Sequence, residues 1–262
     1  MSSAHEWDAE AYQRVSDPQF NWGLRVLDRL PLEGGETVID AGCGSGRLTS
    51  MLAQRLPRGR VIAVDRSTNM IEEARRRLAP LGDRVQLVCA DLTTYVADTP
   101  ADAVFSTATF HWLHDHDRLF ESIHRSLRSG GRLVAQCGGV GNLERFHAHA
   151  EDVLRREPFA KWFVGFEPAW NFQGPDATAQ RLRRAGFTDV TCDLEEAPTP
   201  FQDATAFREF IRTVVLRHHL ARLPDDALRE RYLDEVVAMS KAEGRPLLEL
   251  DYVRLNMSGT SI

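Results

Sequence analysis

Residues 38 to 49, Val-Ile-Asp-Ala-Gly-Cys-Gly-Ser-Gly-Arg-Leu-Thr, constrain this chain more than any other segment. Two apolar β-formers lead into Asp40, glycines follow at 42, 44 and 46, and a helical pattern begins after them. That order reads as strand, tight turn and helix, which brings backbone N–H groups and a helix N-terminus against a ligand. The spacing is Gly-x-Gly-x-Gly rather than the Gly-x-Gly-x-x-Gly that seats a dinucleotide pyrophosphate. Asp40, two residues before the first glycine, would repel a pyrophosphate and would suit a ligand carrying a positively charged amino group.

Around the motif, apolar strand-like runs alternate with helical ones. The pattern gives strands at Thr37–Ala41, Arg60–Asp65, Val85–Asp91, Ala103–Thr107 and Arg132–Gln136, the last entered through a turn at Ser129-Gly130-Gly131. A helix is expected over about 17–30 before the first strand, helices over 45–56, 68–78 and 117–128 between the strands, and further ones over 142–156 and 176–185. Phe187–Leu194 reads as a sixth strand and Leu247–Met257 as a seventh, separated by two helical stretches near 204–222 and 225–242. Such alternation predicts an α/β fold with a largely parallel, Rossmann-like sheet and helices on both faces. The core is expected at about 31–198 and 246–262 within a single domain, with helices at 1–30 and the insertion at about 199–245 forming a cap.

Composition narrows the partners. The net charge of −6 offers no basic field for nucleic acid. No apolar run approaches the ~20 residues of a membrane span, and no signal peptide precedes the first helix, so the expectation is a cytoplasmic protein, monomer or homodimer. Cys43, Cys89, Cys137 and Cys192 are far apart and form no metal-ligand spacing; the first three sit in apolar runs and read as small buried hydrophobes.

Asp65 and Asp91 close the second and third strands as Asp40 closes the first. Ligands of open α/β sheets bind at those carboxyl ends, and an acidic residue at the second strand accepts hydrogen bonds from ribose hydroxyls. Asp91 is placed to accept from an adenine amino group, with Leu92 and Met70 on either side of the ring. The constellation resembles that of class I S-adenosylmethionine (SAM) dependent methyltransferases over about residues 36–138. Ser-Thr-Ala-Thr-Phe-His-Trp-Leu at 106–113, Tyr12 and Gly-Pro-Asp…Ala-Gly-Phe at 174–187 are similar to the trans-aconitate methyltransferase-like branch. Asn21-Trp22 stands where that branch carries Arg-Pro, so the resemblance does not carry the substrate across.

The resemblance implies a seven-stranded class I methyltransferase sheet. It also implies SAM as cofactor, S-adenosylhomocysteine as product and a small-molecule acceptor; charge, hydropathy and residue spacing lead to the expectation of no nucleic acid, membrane or metal. Asp40, Gly42, Gly44, Gly46, Asp65, Arg66, Met70, Asp91, Leu92 and Thr107 would hold the cofactor. Tyr12, Trp22, Phe110, His111, Trp170 and Arg212 would meet the acceptor, with His111 and Tyr12 as the catalytic candidates. The acceptor pocket is expected between the 106–113 segment, the N-terminal helix and the insertion.

Methyl transfer from a sulfonium is an in-line displacement that positioning alone can accelerate. A carboxylate acceptor is already nucleophilic, whereas a carbon acid needs a base, for which His111 is the candidate. Two enzyme readings remain open, transfer to a carboxylate or other oxygen and transfer to carbon. A non-catalytic SAM-binding protein is a third reading. An NAD-dependent oxidoreductase is disfavoured by the glycine spacing and by Asp40. His111, His114, Asp115, His116 and Asp117 have metal-ligand chemistry, but on a turn entering a helix they cannot all converge, and Asp115 or Asp117 suits a helix N-cap.

Overall fold

The computed structural model describes residues 17–242, 244 and 248–262. These residues form two compact units. One comprises the described residues up to Val140, with Asn171–Glu195 and Arg254–Ile262; the other comprises Gly141–Trp170 and Glu196–Val253.

The first unit is built on a seven-stranded sheet. In chain order its strands are β1 (Thr37–Ala41), β2 (Arg60–Asp65), β3 (Val85–Cys89), β4 (Ala101–Thr107), β5 (Leu127–Gly138), β6 (Phe187–Glu196) and β9 (Val253–Ser261). Their spatial order is β3-β2-β1-β4-β5-β9-β6. β1 to β5 pair in parallel, and β9 enters antiparallel to β5. The expected doubly wound α/β architecture is therefore the observed one.

The central strands are apolar on both sides, as a parallel sheet covered by helices requires. Val38, Val61, Ala63, Phe105 and Val134 pack on one face with Val26 and Leu27 of the helix Asp17–Asp28 and Leu52 of the helix Arg47–Gln54. The alternate residues Ile39, Ile62, Val64, Leu133 and Ala135 pack on the other with Leu119, Phe120 and Ile123 of the helix His116–Ser126. The side chains of Asp40 and Thr107 stand on the first face by the same alternation.

The differences from the sequence expectations lie at ends and irregularities. The turn at Ser129-Gly130-Gly131 is a bulge inside β5: Ala101 pairs with Leu127 but Ala103 with Arg132, and Gly130 takes φ 75°. β3 stops at Cys89, so Asp91 lies in the following loop, and Cys89 is exposed rather than buried. The last alternating run is broken. Glu249–Leu250 is a separate strand, β8, paired with β7 (Thr199–Pro200), and the sheet strand begins only at Val253.

The second unit is helical apart from β7 and β8. Glu144–Leu154, expected with the core, belongs here together with Asp226–Ala242. The helical stretch expected at 204–222 is Ala204–Phe210, a π turn at Ile211–Val215 and a short helix at Arg217–Leu220. Its core collects Phe159, Phe207, Phe210 and Tyr232, and Tyr232 donates its hydroxyl to the Ala150 carbonyl at 3.1 Å.

Candidate active site

The glycine loop leaves β1 and turns under the carboxyl end of β2. Gly42 N–H and Cys43 N–H both donate to the Val64 carbonyl, at 2.8 and 3.0 Å. Gly42 has φ 86°, and a Cβ there would stand 2.1 Å from Thr109 Oγ1, so no other residue fits. Gly44 is different. Its φ is 52° and a Cβ on it would meet nothing within 4 Å, so this glycine faces open space. Asp65 ties the loop down: its Oδ2 accepts from Gly44 N–H and its Oδ1 from Ser67 N–H, both at 2.9 Å. Burial raises the Asp65 carboxyl above the usual range, against the two backbone N–H donors that lower it.

Beside the loop lies a cleft lined by Gln19, Phe20, Asp40, Gly42, Gly44, Arg47, Thr107 and Ala108, among others. Asp40 is 2% exposed and accepts from Thr49 Oγ1 at 2.6 Å. Burial pushes its carboxyl up to about 7; the Thr49 bond opposes this and the neighbouring Asp65 adds to it. Two further polar atoms in the wall, Gln19 Oε1 and Thr107 Oγ1, are buried with no hydrogen-bond partner among the described residues. Ala108 holds φ 54°, an unfavourable backbone for a residue with a Cβ, and its N–H donates to the Gln136 carbonyl at 2.8 Å. An open cradle at Gly44, unmet polar atoms and a buried carboxylate that gains from a cation together fit the aminoacyl end of SAM.

The remaining residues expected at the cofactor are spread along the same sheet edge. Arg66 is exposed. Met70 is buried, and its N–H meets the capping Ser67 hydroxyl at 3.3 Å. Asp91 is exposed and closes a turn through Thr93 N–H and Thr93 Oγ1, at 2.8 and 2.7 Å. Leu92 is buried among core residues, and Gly46 has φ 79° at the start of the helix Arg47–Gln54.

Of the residues expected at the acceptor, His111 holds the most informative position. Gly138 N–H donates to its Nδ1 at 3.2 Å, and Trp112 and Phe172 flank the ring at 5.1 and 5.8 Å. Burial holds its pKa well below the usual value, and the positive charge of Arg254 adds to that. The ring is therefore neutral, and with Nδ1 accepting, its proton is on Nε2. Such an imidazole donates through Nε2 and has no free lone pair for a base.

Phe110 does not reach a pocket: it is fully buried and packs edge-on against Phe120 at 6.1 Å, because the turn after β4 folds it into the core. Arg212 is committed to Glu230, with bonds of 2.5 and 2.6 Å to its two carboxylate oxygens, beside Arg208 on the same carboxylate. Trp170 stacks on His147 at 4.4 Å within the second unit. Trp22 lies in the first unit, 6% exposed, with the Arg254 guanidinium 4.7 Å from its ring centre. Tyr12 lies outside the described residues.

The His111–Asp117 run has its side chains in separate uses. Asp115 caps the helix His116–Ser126 through Arg118 N–H, His116 Nε2 meets the Phe110 carbonyl at 2.9 Å, and Asp117 pairs with Arg184 at 2.6 Å. Sequence reasoning did not single out Gln19, Gln136 or Arg254. Gln19 and Trp22 are three apart on the buried face of a helix, and Arg254 occupies an inward position of an alternating strand, so periodicity alone held the signal.

A methyltransferase domain model matches residues 38–131. Trans-aconitate 2-methyltransferase of Azoarcus sp. is 32% identical over 228 residues, covering 84% of this chain and 84% of that protein. The chain belongs to the class I SAM-dependent methyltransferases, in the trans-aconitate methyltransferase-like branch. The corresponding Methylobacterium radiotolerans protein is 34% identical, with 87% of this chain and 86% of that one covered. Among solved structures, a Haemonchus contortus phosphoethanolamine N-methyltransferase 2 bound to phosphomonomethylethanolamine and S-adenosylhomocysteine superposes with a TM-score of 0.63 at 21% identity. That match takes in 97% of this chain but 56% of the other. The methyltransferase uses SAM as its methyl donor. None of its described helices is long and apolar enough to cross a membrane.

Proposed function

We propose that this methyltransferase transfers the methyl group of SAM to a carboxylate oxygen of a small organic acid, giving a methyl ester. The observation that carries the reading is the state of His111. A neutral imidazole whose Nδ1 already accepts the Gly138 N–H cannot take a proton from a carbon acid or phenol. A carboxylate needs no such help, and the Nε2–H is a donor suited to orienting one. The name carried by the relatives, trans-aconitate 2-methyltransferase, supports the same acceptor class. The alternative of carbon methylation with His111 as base has no observation in its favour.

In this reading Asp40 accepts from the α-ammonium of SAM, and Arg47, at the helix N-terminus beside the cleft, holds its carboxylate. Gly44 gives the backbone room to approach, Asp65 meets the ribose hydroxyls with its remaining lone pairs, and Asp91, Leu92 and Met70 surround the adenine. The cofactor supplies an electrophilic methyl group. The protein orients the acceptor oxygen in line with it and keeps water away.

Turnover of methyl-labelled SAM against di- and tricarboxylates including trans-aconitate, monocarboxylates, phenols and carbon acids tests this. Labelled product released as methanol by mild base identifies an ester. Product that resists base, formed only with the phenols or carbon acids, would overturn the assignment.

A further inference from the structure

The cleft beside the glycine loop is lined from two directions, by the ends of β1 and β4 and by the first turn of the helix Asp17–Asp28. Asp40 pairs in register with Phe105, so Thr107 lies two residues further along β4 on the same face of the sheet. Gln19, Trp22 and Val26 recur at helical spacing on the side of the helix that covers this face. Trp22 and Val26 are buried there, and Gln19 is 8% exposed. The helix thus supplies Gln19 to the cleft, and the sheet supplies Asp40 and Thr107.

Two oxygens of this lining, Gln19 Oε1 and Thr107 Oγ1, are buried with no hydrogen-bond partner among the described residues. Groups around them have theirs. Thr109 Oγ1 donates to the Thr107 carbonyl at 3.0 Å, Ala108 N–H to the Gln136 carbonyl at 2.8 Å and Thr49 Oγ1 to Asp40 at 2.6 Å. Buried oxygens left over beside satisfied neighbours mark a place for a guest. The chemistry of that guest follows by elimination. An amide oxygen only accepts, so Gln19 Oε1 does not serve the carboxylate of SAM. The α-ammonium has Asp40. Two methylene groups beyond the α-carbon stands the sulfonium, which carries a positive charge and polarised C–H groups but no N–H or O–H. Oxygens aimed at it attract that charge and align the methyl through C–H···O contacts.

We propose that Gln19 and Thr107 form the sulfonium pocket and make the enzyme discriminate SAM from S-adenosylhomocysteine. The proposal rests on the reading of this cleft as the seat of the aminoacyl end of SAM. Its logic is one of charge. In the transfer the acceptor oxygen supplies the electron pair of the new O–C bond and sulfur keeps the pair of the broken S–C bond, so the positive charge disappears. Gln19 Oε1 and Thr107 Oγ1 then face a neutral thioether, whose sulfur lone pairs they repel. The same two oxygens hold the donor before transfer and loosen the product after it.

The test is calorimetric titration of SAM and of S-adenosylhomocysteine into wild type, Gln19→Leu, Thr107→Val and Thr107→Ser. Leucine and valine remove the oxygens at nearly unchanged volume, and serine keeps one. SAM affinity should fall about fivefold or more in Gln19→Leu and in Thr107→Val, with affinity for S-adenosylhomocysteine within about twofold of wild type. Thr107→Ser should keep the wild-type ratio of the two affinities. An equal fall for both ligands would put the oxygens at the ammonium, which the two ligands share, and would overturn the proposal. An unchanged ratio in both variants would overturn it as well, and a change confined to one variant would remove the other residue from the pocket. Cooperative thermal unfolding without ligand establishes that a variant is folded; one that fails is replaced by Gln19→Met or Thr107→Ala. Gly44→Val separates the underlying reading. If that variant binds SAM as wild type does, the cofactor lies elsewhere and the sulfonium pocket falls with the cleft. Lost binding in Gly44→Val together with an unchanged ratio in the other variants overturns the sulfonium pocket alone.

Discussion

Asp40 stores a charge difference that cofactor binding should release. Its carboxyl is pushed up to about 7 by burial, so near neutral pH about half the molecules hold it protonated. An ammonium against it favours the ionised form. Binding of SAM at pH 7 should therefore expel about half a proton, falling towards none above pH 8.5. Titration in buffers of different ionisation enthalpy measures this directly, and Asp40→Asn should abolish it. Buffer-independent enthalpies in the wild type would remove the ammonium from Asp40. His111 offers a second check at this scale. With its pKa held well below the usual value, it gives no titration of turnover near 6.5, and His111→Ala should lower turnover on a carboxylate no more than about tenfold. A loss of about a thousandfold would indicate a base after all. Asp40 could be read from the sequence because it stands at a fixed offset from the glycines. The tautomer of His111 could not, because it depends on the N–H of Gly138, 27 residues away.

The glycine loop separates packing from ligand space within five residues. At Gly42 a methyl group would collide with Thr109 and the φ of 86° is strained for any L residue, so Gly42→Ala should cost ~2–4 kcal/mol of stability. At Gly44 the strain exists without the collision, so Gly44→Val should cost ~1–3 kcal/mol and leave a folded protein that no longer binds SAM. Chemical denaturation and a cofactor titration on both variants would check the contrast; a Gly44→Val protein that binds SAM normally would remove the loop from the site. The strands and helices around this loop were legible because their periods of two and 3.6 are uninterrupted. Three features were not. The β5 bulge looks like an ordinary Gly-Gly turn, the break between Glu249–Leu250 and β9 hides inside one alternating run, and Phe110 is expected at the acceptor although it packs on Phe120. Each is decided by partners distant in sequence. The same holds for Arg254, whose position beside Gly138 follows only from the strand register.

At the scale of the whole molecule the grouping of Glu144–Leu154 with the insertion helices was hidden for a related reason: an amphipathic helix declares that it has an apolar face, not which unit covers it. Burial of histidines in both units gives the protein a common acid sensitivity. His111 in the first unit, and His147 and His219 in the second, are all held neutral by burial, with His147 lowered to about 4 and His219 to about 3. Below pH 6.5 the unfolded chain binds protons that the folded chain refuses, so stability falls as pH drops from 6.5 towards those folded values and is constant above. At pH 5 His147 and His219 each cost ~2 kcal/mol relative to pH 7.5. Asp40 runs the other way: its folded value is raised, so its contribution is lost as pH rises from about 4 through 7. Replacing His219 by Phe keeps the ring against Trp170, Phe163 and Phe166 and removes the titration. His219→Phe should therefore match wild type within about 1 kcal/mol at pH 7.5 and exceed it by ~2 kcal/mol at pH 5, read by urea denaturation at the two pH values. A difference that does not change with pH would mean that His219 is protonated in the folded protein, and that burial does not hold this histidine neutral.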